Sequence, residues 1–140
     1  MPKIKTVLGF DFGLKHIGVA TGQTFTRTAQ PLTSVSAEQG NPNWNQIIDL
    51  IKTWKPDALI VGIPLNMDGT EQPLTQIARN FLHELEQRFL LPVYAVDERL
   101  STVEARARLF EKGGYKALNK KAIDSVSAQL IVESWLQNLV

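Results

Sequence analysis

Two patterns of apolar residues alternate along this chain, short continuous runs and stripes at helical spacing. Val7, Leu8, Gly9 and Phe10 form a continuous run, the mark of a buried strand. Gly13 marks a tight turn, and Ile17, Gly18, Val19 and Ala20 open a second strand, so the first unit reads as a hairpin. Residues 26–35 are β-favouring or small, with Pro31 among them, which predicts an edge strand. Residues 36–43 are polar, contain Gly40 and Pro42, and read as a loop. Trp44, Ile47, Ile48, Ile51 and Trp54 recur at helical spacing and predict a helix over residues 43–54, broken by Lys55, Pro56 and Asp57.

Residues 58–63 are apolar throughout, as in a strand buried on both faces, and the turn formers of residues 64–71 follow it as a loop. Leu74, Ile77, Ala78, Phe81, Leu82, Leu85 and Phe89 stripe a second helix, with His83 off the stripe and on the surface. Residues 92–96 predict another short buried strand. Ser101 and Glu104 fit a capping box, which starts a third helix near Thr102 that Gly113 and Gly114 should stop. Residues 115–121 are a basic segment, and residues 122–139 a last helix with Asp124, Ala128, Ile131 and Trp135 on one face. The order predicts one α/β domain over residues 1–140, a mixed sheet with helices packed on it and right-handed parallel crossovers.

The absence of cysteine excludes disulfides and thiolate metal sites. No run is long enough to span a bilayer and no apolar leader opens the chain, so the expectation is a cytoplasmic protein without a membrane partner. Net charge is only +1, but residues 99–121 hold seven basic side chains against two acidic ones. A basic third on a near-neutral domain suits either a polyanion-facing side or a solvated helix face.

Acids stand where two strands should end, Asp11 on the first and Asp97-Glu98 on the last. Sites in open α/β sheets form outside the carboxyl ends of strands. Asp124 lies on the otherwise apolar face of a helix able to reach the same edge. Asp11 capping a turn and Asp124 stabilised by the helix dipole in a first turn are the plainer alternatives. Three converging carboxylates without His or Cys describe a hard-cation site for Mg2+ or Mn2+, and a basic flank suits two-metal phosphodiester chemistry.

At this point the motifs match a family. Asp11-x-Gly13-x-Lys15-x-Ile17-Gly18-Val19-Ala20, Gly62-x-Pro64 with Asp68-Gly69, Asp97-Glu98-Arg99-x-Ser101-Thr102, and Asp124-Ser125 stand in order over nearly the full length. In these the chain resembles the YqgF (RuvX) family of RNase H-like nucleases. The resemblance implies an RNase H-like fold, a five-stranded mixed sheet opened by a three-strand meander and flanked by helices on both faces. It implies a nuclease maturing the 5′ end of pre-16S ribosomal RNA, with relatives resembling Holliday-junction resolvases. Carried over by position, the catalytic and metal-holding acids are Asp11, Glu98 and Asp124, with Asp97 the alternative to Glu98. Lys15, Arg99, Arg106, Lys116, Lys120 and Lys121 are the expected nucleic-acid contacts, Lys15 alternatively neutralising Asp11 and Arg99 alternatively pairing with Glu104. Gln23 and Thr24 stand where many members carry an acid, and Ser127 where a small apolar residue is common. Rival readings keep the fold but make it a branched-DNA resolvase acting as a homodimer, or a non-catalytic nucleic-acid-binding assembly factor. An ATPase-like domain would need a second lobe for which the chain is too short.

Overall fold

The computed structural model describes residues 3–99, 107, 108, 111, 113 and 120–139. Its strands are β1 (Thr6–Asp11), β2 (His16–Gln23), β3 (Thr28–Pro31), β4 (Val35–Glu38), β5 (Asn41–Pro42), β6 (Ala58–Ile63) and β7 (Val93–Asp97). The long helices are α1 (Trp44–Trp54), α2 (Pro73–Phe89) and α3 (Lys120–Gln137). Ala107, Arg108, Glu111 and Gly113 are also helical, while the expected capping box at Ser101 and Glu104 and residues 114–119 lie outside the described residues. Among the described residues, no helix is long and apolar enough to cross a membrane.

The sheet runs β5-β4-β2-β1-β6-β7, with β3 also on β2. β1 and β2 are antiparallel, and β1, β6 and β7 are parallel, as helical crossovers require. The edge strand expected over residues 26–35 is interrupted. β3 follows the far half of β2, the Leu32 N–H still reaches the Val19 carbonyl at 2.8 Å, and β4 rejoins the ladder opposite Ile17 and His16. Pro31, which cannot donate, sits at the end of the first piece. The loop expected over residues 36–43 is instead the β4–β5 hairpin, turning at Gln39 and Gly40, both at positive φ (51° and 85°). Such a turn matches strand twist, but its strands are too short and polar to show alternation. With β3 and β4 taken as one broken strand and the two-residue β5 set aside, the sheet has the expected strands.

Alternation divides the sheet between two layers. Leu8, Phe10, Ile17, Val19, Leu59, Val61 and Ile63 pack under α1 and α2 with Ile47, Ala78, Phe81 and Leu85. Val7, Ala20, Ala58 and Ile60 pack under α3 with Ala128, Ile131, Val132 and Leu136. Each buried aliphatic or aromatic side chain contributes about 1.5–3 kcal/mol relative to exposure. Asn43 caps α1, its side chain accepting from the Gln46 N–H, and Lys55 ends the helix in the left-handed region. Thr75 in the first turn of α2 is buried; its hydroxyl donates to the Pro64 carbonyl and accepts from the Gln72 N–H, fixing how the chain leaves β6.

Two expectations change. β7 is not buried: it is the sheet's edge, with Val93 and Val96 half-buried and Tyr94, Ala95 and Asp97 exposed, Tyr94 to 39%. α3 starts at Lys120 rather than Ala122, which places Asp124 past the first turn. This helix is buried on several sides, with Ile123, Val126 and Leu130 forming a separate apolar cluster. Its close seat on the sheet depends on glycine. A Cβ at Gly9 would fall 2.2 Å from Val132 Cγ2, and one at Gly22 2.5 Å from Val132 Cγ1. Gly9→Ala is expected to lower the unfolding free energy by roughly 1–3 kcal/mol. Adding Val132→Ala should return part of that loss, so a urea double-mutant cycle gives a coupling of about 0.5 kcal/mol or more; strictly additive effects would refute the contact as the cause.

Candidate active site

Phe10 and Phe12 both turn into the α1–α2 core, where the Phe81 ring lies 5.7 and 5.0 Å from theirs. Strand alternation therefore turns Asp11, between them, to the α3 face. In the ladder Asp11 stands opposite Gly18 of β2 and Gly62 of β6. The space left by both missing side chains is filled. A Cβ at Gly18 would fall 2.0 Å from the Asp124 carbonyl oxygen. One at Gly62 would fall 2.4 Å from Glu98 Oε2 and 2.3 Å from Ile131 Cδ1. The two glycines thus clear the floor beside Asp11, so that α3 settles on one side and Glu98 reaches in from the other.

Glu98 follows β7, one strand beyond β6, and its N–H bonds the Ile63 carbonyl at 3.3 Å. It must cross β6 to meet Asp11, a span of about 4.8 Å, and it does so over Gly62. Its carboxyl is pushed up to about 10, first by burial, then by the Asp11 charge and a hydrogen bond with Asp11, and last by Asp97. Asp97 faces the other way. Arg99 donates to both of its oxygens, from the backbone N–H at 3.1 Å and from Nε at 2.7 Å, and the guanidinium closes an ion pair at 2.6 Å. That partner holds the Asp97 carboxyl below the usual range despite some burial. Of the two adjacent acids, Glu98 is the one that lines the cleft with Asp11.

Asp124 is 6% exposed. With Asp11 and Glu98 it lines one cleft of about 430 Å³, whose wall also includes Lys15, His16 and Leu74. A larger groove of about 840 Å³ along the β4–β5 hairpin has Glu38 as its one ionisable side chain among the described residues, so size does not mark the site. Among the described residues, no group of three or more Asp, Glu or His side chains stands gathered as a metal-binding cluster. The donors nevertheless suit a hard cation. Asp11 and Glu98 share a hydrogen bond that needs a proton, the proton stands where a cation can replace it, and Asp124 supplies oxygens on the same cleft.

The other expected contacts divide. Lys15 is exposed on the cleft. Arg99 pairs with Asp97, its alternative partner Glu104 lying outside the described residues, and also donates to the Met67 carbonyl at 3.4 Å, tying the end of β7 to the loop after β6. In that loop the Gly69 N–H bonds Asn66, the Asn66 N–H bonds Thr70, and Asp68 accepts from the Thr70 N–H and hydroxyl. The amides of Asn66, Gly69 and Thr70 are thus engaged within the turn itself. Arg106 and Lys116 lie outside the described residues; Lys120 and Lys121 begin α3. His83 is on the surface, paired with Glu86 at 3.1 Å. Sequence reasoning missed the half-buried His16 and the roles of Gly18 and Gly62. The available signal was glycine inside two otherwise apolar strands, each at a register position opposite a carboxylate.

In the unfolded chain Glu98 loses its proton near its ordinary value of 4.5, whereas in the fold it keeps it to about 10. Folding then loses stability as pH rises between those values. Melts in EDTA from acid to mildly alkaline pH should show wild type losing several degrees relative to Glu98→Gln, with the two converging near the acid end. Parallel profiles would refute the shared proton.

The sequence model of the RuvX family, described as Holliday junction resolvase, matches residues 5–138. A Klebsiella pneumoniae subsp. pneumoniae protein named "Putative pre-16S rRNA nuclease" is 60% identical over 132 residues, 94% of this chain and 96% of that one. One of the same name from Actinobacillus pleuropneumoniae serotype 7 is 59% identical over 133 residues, 95% of this chain and 97% of that one. Among solved structures, T. thermophilus RuvC in complex with a Holliday junction substrate aligns with a TM-score of 0.58 at 16% identity, over 96% of this chain and 97% of that one. Fowlpox virus resolvase in complex with Holliday junction DNA aligns with a TM-score of 0.59 at 14% identity, over 96% and 99%. These two likenesses are of fold, the RNase H-like mixed sheet with helices on both faces. With the family's model matched almost end to end and relatives this similar across both lengths, the chain belongs to the RuvX family.

Proposed function

We propose that this chain is a divalent-metal-dependent nuclease that matures the 5′ end of pre-16S ribosomal RNA in the cytoplasm, residues 1–140 acting as one catalytic domain. The observation that carries this reading is the Asp11–Glu98 pair, half-buried at the end of the sheet and sharing its cleft with Asp124 and Lys15. The names of the similar Klebsiella and Actinobacillus proteins supply the RNA. Asp11, Glu98 and Asp124 are the residues that would hold Mg2+ or Mn2+. When bound, such ions supply an activated water and neutralise the charge that develops on the scissile phosphate.

Asp11 does its part without moving, since both flanking aromatic rings are locked in the core. Glu98 would release its shared proton to solvent in order to hold an ion, and the α3 backbone against Gly18 fixes Asp124. Lys15 takes a flanking phosphate at the cleft edge. Arg99, held by Asp97, and Arg106, Lys116, Lys120 and Lys121 of the basic third of the sequence are the further phosphate contacts in this reading. A second reading, cleavage of four-way DNA junctions, is favoured by the family's description and changes only the substrate.

The test is cleavage of labelled pre-16S RNA and of a four-way DNA junction with Mn2+. RNA should be cut and the junction spared; the reverse preference would establish the second reading. Asp11→Asn should abolish cutting, while Asp97→Asn should keep it within a few-fold. Mn2+ should also raise the melting temperature of wild type and leave Asp11→Asn unmoved. Cutting that survives Asp11→Asn would remove these acids from the chemistry.

A further inference from the structure

At the far end of the sheet from Asp11, where β1 begins and β2 ends, a groove of about 730 Å³ opens between the β2–β3 turn and the end of α3. Lys3, Lys5 and Arg27 line it, and no acidic side chain does among the described residues. None of the three cations makes an ion pair among the described residues. Asp57, the acid that feels the Lys5 charge, uses one carboxylate oxygen on the backbone N–H groups of Lys5 and Thr6, at 2.8 and 3.1 Å. Two aromatic rings share the groove. Phe25, at the apex of the turn, is 98% exposed, and Trp135 of α3 is half-buried with its ring 5.6 Å from that of Tyr94.

The turn that carries Phe25 is built, not loose. The Thr24 N–H and hydroxyl bond the carbonyls of Lys5 and Ile4, at 3.0 and 2.8 Å, and the Thr26 and Thr28 hydroxyls meet at 2.7 Å. The fold thus holds a fully solvated phenyl ring next to three cations. Cations that track a backbone, interleaved with rings on which bases stack, are what a single-stranded nucleic acid needs; a duplex hides its base faces.

We propose that this groove is a second binding site for single-stranded RNA, Phe25 and Trp135 stacking bases while Lys3, Lys5 and Arg27 hold phosphates. It rests on the nuclease reading only for the polymer's being the substrate. β1, six residues long, separates groove from cleft by about 20 Å. The eleven helical steps of α3 from Asp124 to Trp135 give about 17 Å along the other route. At stacked spacing that is roughly five to six nucleotides. A strand cut at the cleft is therefore gripped several nucleotides from the cut, which selects substrates with an unpaired flank.

Fluorescence anisotropy tests this in EDTA, where nothing is cleaved, with a labelled single-stranded RNA of about 12 nucleotides. Phe25→Ala should weaken binding roughly five- to tenfold. Lys3→Ala/Lys5→Ala/Arg27→Ala should make the slope of log affinity against log salt shallower by about 2. All these side chains are exposed, so melting temperatures should stay at the wild-type value, which separates lost contact from lost fold. Unchanged affinity and slope in the variants, or equal binding of a blunt duplex of the same sequence, would overturn the proposal. Because metal is absent, failure of the nuclease reading shows separately, as intact RNA in the Mn2+ assay.

Discussion

Asp11 and Glu98 are held together by a frame that gives neither room to withdraw. Phe10 and Phe12 are locked beneath α1 and α2, so the carboxylate between them has one direction available. Gly62 leaves a gap that Glu98 fills, and Gly18 leaves one that the α3 backbone fills. Two carboxyls so placed cannot both ionise cheaply in a low-dielectric cleft. They share a proton, or they share a cation. The rest of the site follows from that choice, because a protein that forces acids together has arranged its scaffold around what will sit between them.

The scaffold around the pair is correspondingly stiff. Thr75 ties the first turn of α2 to the end of β6 through the Pro64 carbonyl. Arg99 joins Asp97 to the Met67 carbonyl, so the end of β7 and the loop after β6 move as one. Asp97 serves this tie and not the cleft, which explains why two acids stand side by side in the chain while one of them points outward. α3 runs between both ends of the sheet, with Asp124 at one and Trp135 at the other, and the Arg108–Glu133 pair at 3.1 Å braces it from outside.

Much of this was legible in the residues. Continuous apolar runs located β1 and β6, helical spacing located α1 and α2, and acids at strand ends marked Asp11 and Glu98 as candidates. Where residues are half-exposed, the same reasoning lost resolution. β7 looks buried in the sequence because its composition is apolar, yet as the sheet's edge it leaves Tyr94, Ala95 and Asp97 in water and only half-buries Val93 and Val96. The β4–β5 hairpin was invisible because four residues and two residues cannot display a period. The interruption between β3 and β4 was foreshadowed by Pro31, but where pairing resumed depended on β2.

What the sequence determined by itself is the list of parts: the number and kind of core elements, the acids that could act, and the family motifs that order them. Tertiary structure shows which of Asp97 and Glu98 lines the cleft with Asp11, since only strand register shows which carboxyl passes over Gly62 and which meets Arg99. It also moved Asp124 out of the first turn of its helix and gathered Lys3, Lys5, Arg27, Phe25 and Trp135, from both ends of the chain, into one groove. The reason is physical. Periodicity reports which side of its own element a residue occupies, whereas contact across elements depends on register and on which side chains are missing opposite, and those become defined only when the layers close.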